Sequence, residues 1–184
     1  MRGARCGQAM VETALVLPLV FFIIFGTVEG GLVIFSMETA HFGAQEAAQS
    51  LADAGQQTGA NDEALKILRH NVGGGTSLVE VQEVDIEKVN EGTPAPACPD
   101  RAVAMERFRF DSGTKIPNGP GCPDYPEGKA RNTDLCCSDT IRVVVVFSYR
   151  WRSGLLGAAN AGLSFNVSAT ARLQPQTPLA WLSQ

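Results

Sequence analysis

The longest apolar stretch of the chain lies near its start. No polar side chain interrupts the sequence between Ala14 and Phe25, and apolar residues predominate as far as Phe35. As an α-helix, residues 14–35 span about 33 Å, close to the hydrocarbon thickness of a bilayer. The pattern therefore predicts a membrane helix whose membrane part covers about residues 13–35.

Charges around this stretch predict its orientation. Arg2 and Arg5 precede it, and no acidic residue comes before Glu12. Basic residues at the start of a membrane helix favour a cytoplasmic N-terminus and an exported C-terminal body. A cleaved secretory signal peptide has the same charged start and apolar core, but no cleavage site with small residues closely follows this run.

Three residues distinguish the segment from a simple anchor. Glu12 stands at its edge, and Glu29 stands within it or at its far end. A carboxylate in hydrocarbon costs about 2–3 kcal/mol or more, so both side chains are expected to have partners. Pro18 removes one backbone hydrogen bond and crowds the carbonyl of Ala14, which predicts a kink.

Helical periodicity continues beyond the membrane segment. Small apolar residues recur at spacings of three and four, which predicts one continuous helix over residues 8–54. This stripe suits packing on the chain's own body, with contact to another subunit as the alternative. A second helix is predicted over residues 61–72, with Asn61 as its N-cap. The stripe comprises Ala40, Ala44, Ala47, Leu51 and Ala54.

Four segments after the second helix have the apolar pattern of β-strands. Alternating apolar residues predict strands over residues 78–89, with a slip at Glu83, and 164–173, while residues 106–110 form a possible short strand. Four consecutive valines make residues 141–151 the strongest strand, suited to burial on both faces, and its expected partner is 164–173. The predicted fold class is α+β, a long helix packed on a small antiparallel sheet.

A Pro- and Gly-rich stretch, about residues 90–139, carries the cysteines of the predicted exported part: Cys98, Cys122, Cys136 and Cys137. An even number of cysteines outside the cytoplasm favours disulfides, with three possible pairings. A bond between adjacent cysteines strains the intervening peptide. We therefore expect Cys136 and Cys137 each to reach back to Cys98 or Cys122, in undetermined order. Zinc is disfavoured because paired C-x-x-C knuckles are absent.

Composition narrows the possible functions. The 184 residues suit one exported domain, and the net charge of −4 gives no electrostatic reason to expect a nucleic-acid partner. The chain has only 2 His and no nucleophile elbow or paired-carboxylate motif. We expect no enzymatic activity, no cofactor and no metal.

The sequence from Arg5 to Leu19, RCGQAMVETALVLPL, resembles the N-terminal signature of the TadE-like family. These proteins are minor pilins or pseudopilins of the bacterial tight-adherence (Tad, or Flp) pilus. In that family a prepilin peptidase cuts after a leader that ends in glycine, and a glutamate stands five residues into the mature chain. Cleavage after Gly7 makes Gln8 the first residue and Glu12 the fifth, and Glu29 resembles a second acidic position of the family.

This resemblance implies a function and an organisation. Residues 1–7 would be the leader, 8–54 the helix and 55–184 an exported head with its loop insertion at about 90–139. The precursor would span the inner membrane once, and its partners would be the peptidase, other pilin subunits, the assembly platform and membrane lipid. Alternatives are an uncleaved single-span surface protein that binds a ligand and a pseudopilin of a secretion system.

Overall fold

The computed structural model of the chain describes residues 4–72, 79–89, 98–99, 102–134, 136–151 and 163–175. The first three residues of the predicted leader and parts of the predicted loop insertion lie outside this range. The described elements are two helices, a five-stranded sheet and a 3-10 turn. Their order follows the α+β plan expected from the sequence.

The first helix, α1, runs without interruption from Ala4 to Ala54 and contains Pro18. The prediction of a single continuous helix is confirmed, whereas the kink at Pro18 stays a prediction. Every residue of the small stripe except Ala54 is buried, and Ala54 is half-buried. The stripe therefore packs on the chain's own head, because small side chains let the sheet and the second helix approach α1 closely.

The second helix, α2, spans Ala60–Val72 and packs beside α1. The prediction that Asn61 is its N-cap is wrong. Asn61 lies inside the first turn and is buried, while the carboxylate of Glu127 accepts the backbone N–H groups of Gly59 at 2.7 Å and Asn61 at 2.6 Å. A negative charge there also suits the positive end of the helix dipole.

The sheet is antiparallel and has the order β3-β2-β1-β4-β5. A register shift between Val81 and Glu83 confirms the predicted slip in β1. The valine-rich strand β4 lies between β1 and β5, and its predicted pairing with β5 is confirmed. The strands are β1 (Val79–Lys88), β2 (Ala104–Arg109), β3 (Lys115–Ile116), β4 (Thr140–Tyr149) and β5 (Leu163–Arg172).

The main core lies between the helices and one face of the sheet. Because side chains alternate along the strands, four of them on this face are fully buried: Val84, Ile86, Val143 and Val145. A smaller apolar cluster on the other face comprises Cys98, Ala102, Met105 and Cys122. Cys98, Ala102 and Cys122 thus shield Met105 on the sheet's second face.

Gly43 marks the closest approach of the two helices. A Cβ atom added at Gly43 would lie 2.8 Å from Cγ2 of Val72 and 3.5 Å from Cδ2 of Leu68. We predict that Gly43→Leu lowers the free energy of unfolding of the head by about 1–3 kcal/mol, because overpacking forces the helices apart. The matched control is Gly31→Leu, since a Cβ at Gly31 meets nothing within 4 Å. Thermal unfolding in detergent is the measurement. Equal unfolding temperatures for Gly43→Leu and Gly31→Leu would contradict the prediction.

Candidate assembly helix and head

The N-terminal part of α1 stands clear of the head. From Ala9 to Val28 every residue is exposed, and the first buried residue after Ala9 is Glu29. This bare segment is about 30 Å long as a helix, close to the thickness of a bilayer's hydrocarbon core. Among the described residues, α1 is the one helix that is long and apolar enough to cross a membrane. Its exposed apolar surface needs a cover of lipid or of other apolar helices.

The predicted processing and assembly residues are spread along this helix. Gly7 and Gln8 lie in its first turns, and Glu12 is exposed about one turn further on. Glu29 lies about 25 Å from Glu12 along the helix axis. The structure thus does not bring the two acidic residues together within one chain. The partner of each carboxylate must therefore be sought among its own neighbours.

Glu29 lies at the junction between the bare segment and the head. It is only 3% exposed, and its Oε1 accepts a hydrogen bond of 2.8 Å from the hydroxyl of Tyr149. Tyr149 is the last residue of β4, and its ring makes an edge-to-face contact with Trp151 at 5.7 Å. The carboxylate therefore ties the end of β4 that lies nearest the bare segment to α1, which satisfies two buried polar groups at once.

Tyr149 was not singled out in the sequence. It is separated from Glu29 by 120 residues, so no local pattern links the two. The available signal was alternation in β4, which places Tyr149 on the same face as Phe147, toward the helix. A buried tyrosine needs a partner for its hydroxyl, and a buried glutamate on the facing helix supplies one.

The cysteine pairing differs from the one expected. Cys98 and Cys122 form a disulfide with each other, whereas Cys136 and Cys137 are free and exposed. The expectation that Cys136 and Cys137 reach back to Cys98 or Cys122 is therefore wrong. The physical reason is the placement of the loop, since Cys98 and Cys122 flank Met105 on the second face of the sheet. Their bond ties down that loop, and Cys136 and Cys137 lie in the turn that leads to β4.

A buried polar cluster organises the head around Arg131, which is 0% exposed. Its Nη2 donates to Oδ1 of Asn61 at 2.5 Å, and its guanidinium lies 5.3 Å from the ring centroid of Tyr125. Asn61 in turn donates to Glu106 at 2.7 Å, and Tyr125 donates to Asp139 at 3.0 Å. The sequence did not predict this cluster, which joins α2, β2 and the segment between β3 and β4.

The charges of the cluster are balanced by its members. Burial lowers the pKa of Arg131, and the acidic groups around it act in the opposite direction. Lys88 pairs with Asp139 at 2.7 Å, and Lys115 pairs with Glu106 at 2.8 Å. Burial and the neighbouring Asp139 raise the pKa of Tyr125. This arrangement suits a structural role, because acidic groups surround the charge of Arg131. Among the described residues its Nη2 has a hydrogen-bond partner, whereas its Nε and Nη1 are buried without one.

A row of carboxylates lies on the second face of β1. Asp85 stands between Glu83 and Glu87, and Arg107 contacts both Glu83 and Asp85. Burial, reinforced by the charge and hydrogen bond of Glu83, raises the pKa of Asp85 to about 7. Asp85 therefore changes its charge near neutral pH, unlike an ordinary aspartate.

Asp85 gives the head a pH-dependent stability. Its proton is held more tightly in the folded chain than in the unfolded one, so stability falls as the pH rises toward about 7 and the penalty is complete above that. We predict that Asp85→Asn stabilises the head by about 2 kcal/mol at pH 8 and changes it little at pH 4. Thermal unfolding at both pH values checks this, with the exposed Asp53→Asn as control. An equal effect of Asp85→Asn at both pH values would refute it.

Among the described residues, no group of three or more His, Cys, Asp or Glu side chains is placed to hold a metal ion. An apolar concavity on the bare helix lies beside Pro18, Phe21, Phe22 and Phe25 and is lined by no polar atom. Its lining side chains can make packing contacts but provide no group that could bind a polar ligand or take part in catalysis. The features that remain as a site are the bare helix with Glu12, and its junction with the head.

Comparison with known proteins concerns this same helix. A family model described as TadE-like protein matches residues 7–49. No curated protein and no solved structure matches the chain. The match begins at Gly7, covers Glu12, Pro18 and Glu29, and ends in the part of α1 that packs on the head. Over this helix the chain is similar to the TadE-like family, and the similarity suggests a protein associated with the Tad pilus.

Proposed function

We propose that the chain is a minor pilin or pseudopilin subunit of a Tad-type pilus, with a structural role and no catalytic one. A prepilin peptidase would trim it after Gly7 at the cytoplasmic side of the inner membrane. The precursor would span that membrane once, with the head outside the cytoplasm. Mature subunits would then assemble with other pilins through α1.

The main support for the proposal is that α1 has two different parts. One uninterrupted helix begins as a bare apolar segment and ends as the central support of the head, and the family match covers both parts. In lipid, such a segment is a membrane anchor. In a fibre, the same surface can be buried against identical segments of neighbouring subunits, because lipid and helix side chains are similarly apolar.

Glu12 supplies the polar element of this assembly. Cleavage after Gly7 creates a cationic amino group on Gln8, and Glu12 lies about 6 Å further along the helix. Pairing of Glu12 with the Gln8 amine of a parallel neighbour would remove two charges from an apolar environment. It would also fix the axial offset between the two helices.

The outer side of α1 at the level of the head supports a contact between subunits. Ile34, Phe35 and Phe42 are more than half exposed there, on the side away from the buried alanine stripe. They extend the apolar surface of the bare segment past Glu29. A neighbouring helix could therefore follow α1 from the membrane into the region of the heads.

The junction sets the proposed position of the head relative to the membrane. The bare segment ends at Val28, and the Tyr149–Trp151 pair lies at the level of Glu29. Tyrosine and tryptophan favour the interface between membrane and water. The proposed membrane part is thus residues 9–28, somewhat nearer the N-terminus than the expected 13–35. The Cys98–Cys122 bond suits an oxidising compartment on the far side.

Replacement of Gly7 tests the proposal. We expect Gly7→Leu to remain at precursor mass in the membrane and to be absent from sheared pili, whereas Gly3→Leu behaves as wild type. A wild-type chain that is never processed would favour the uncleaved surface protein. A chain that is processed but found only in a secretion machinery would favour a secretion-system pseudopilin.

A further inference from the structure

Cys136 and Cys137 occupy a turn that several hydrogen bonds hold in place. The backbone N–H of Asp139 donates to the carbonyl of Asn132 at 2.8 Å, and the side-chain amide of Asn132 donates to the carbonyl of Cys137 at 3.1 Å. From β5, Arg172 donates to the carbonyl of Cys136 at 3.4 Å and to the hydroxyl of Ser138 at 2.8 Å. The carbonyl groups of Cys136 and Cys137 are therefore each held by a side chain.

This turn brings the two thiols together. The Sγ atoms of Cys136 and Cys137 lie 2.6 Å apart, about 0.6 Å beyond the length of a disulfide bond. Both side chains are exposed, so a reagent in solution can reach either sulfur. Cys98 and Cys122 are bonded to each other, and the chain's remaining cysteine, Cys6, belongs to the proposed leader. Within the head, each of the two thiols has the other as its available partner.

We propose that Cys136 and Cys137 form a reversible disulfide with each other and that this turn is a site of thiol–disulfide exchange on the head. The ring closes over a single peptide bond, which strains it and makes it more easily reduced than an ordinary structural disulfide. The oxidised form presents a closed turn, and the reduced form presents two thiols. The occurrence of this chemistry in the cell rests on the proposed export of the head.

The step balances with a disulfide as the oxidant. A thiolate of the turn attacks one sulfur of that disulfide, forms a mixed disulfide and releases one thiol; the second cysteine then attacks the mixed bond, closes the ring and releases the other thiol. The two thiol protons end on the two released thiolates, with solvent as the carrier, so one disulfide is reduced for each disulfide formed. Contact with Cys136 raises the pKa of Cys137, and either thiol can make the first attack. The nearby Arg172 guanidinium favours the thiolate form.

The test is made with glutathione on the full chain in detergent, and it does not depend on the compartment in which the chain works. After gentle reduction and incubation with glutathione disulfide, the acid-quenched chain is labelled with maleimide and digested with trypsin. The expected peptide of residues 132–142 carries no label and is about 2 Da lighter than the dithiol. A matched variant, Cys137→Ser, should instead keep glutathione on Cys136.

Other products would overturn the inference. These are a doubly labelled peptide, a stable glutathione adduct on the wild-type chain, a link to the peptides of Cys98 or Cys122, and a dimer of two chains. Because the buried Cys98–Cys122 bond should survive the gentle reduction, its peptides serve as an internal control. Failure of this test would leave the pilin proposal standing, since that proposal depends on processing and assembly of α1.

Discussion

Glu12→Leu is expected to lower incorporation of the chain into sheared pili about tenfold or more. The variant still has an apolar segment that inserts into the membrane, and Gly7 remains available for cleavage. It lacks the carboxylate that pairs with the neighbour's amine, so the amine would be buried without an opposite charge. A loss of about 1.4 kcal/mol per contact is enough for a tenfold effect, and unpaired charges in apolar surroundings cost more than that.

Three measurements on the Glu12→Leu strain separate assembly from earlier steps. The amount of chain in the membrane and its N-terminal residue should both match wild type, while the amount in sheared pili falls. Asp53→Leu is the control, because it also replaces an exposed carboxylate of α1 but lies near the end of the helix, beyond the outer apolar surface of Ile34, Phe35 and Phe42. Wild-type incorporation of Glu12→Leu would show that Glu12 has no pairing role.

Arg131→Ala is expected to destabilise the head by about 3–5 kcal/mol. The guanidinium is fully buried, bonds to Asn61 and lies over Tyr125, so its removal leaves a cavity and deprives Glu106 and Asp139 of a nearby positive charge. The carbonyl of Arg131 also accepts the amide of Gln56 at 2.8 Å, which connects the loop to the end of α1. Disorder of the loop would weaken that connection.

Chemical unfolding of the head, followed by tyrosine and tryptophan fluorescence, measures this effect. Lys129→Ala is the matched control, because Lys129 lies two positions away and is exposed. A surface change of this kind normally shifts stability by less than about 0.5 kcal/mol. If Arg131→Ala unfolded at the same denaturant concentration as Lys129→Ala, the cluster would have no structural importance.

The parts of the fold that follow from local pattern were predictable. Residue spacing along α1 identified both its length and the face that carries Ala40 and Ala44, because helical periodicity repeats over many turns. Alternation identified β1, β4 and β5 to within one or two residues. β3 has only two residues, Lys115–Ile116, so its sequence contains no alternation to detect.

Contacts between distant segments were not predictable in the same way. The spacing of four cysteines leaves three pairings open, and only the position of the loop beside Met105 selects Cys98–Cys122. Arg131 and Asn61 are 70 residues apart, and neither belongs to a recognisable motif. Glu29 was noticed because a carboxylate is costly in an apolar helix, but its partner Tyr149 lies 120 residues later in the chain.

The central claim is that the chain is a processed pilin, and the N-terminus of the protein tests it most directly. The measurement is the intact mass and first residue of the protein extracted from membranes of its native host. We predict a chain that begins at Gln8, with or without methylation of its amino group. A chain that begins at Met1 would contradict processing and favour an anchored surface protein. A start well beyond Phe35 would contradict the membrane role of α1 altogether.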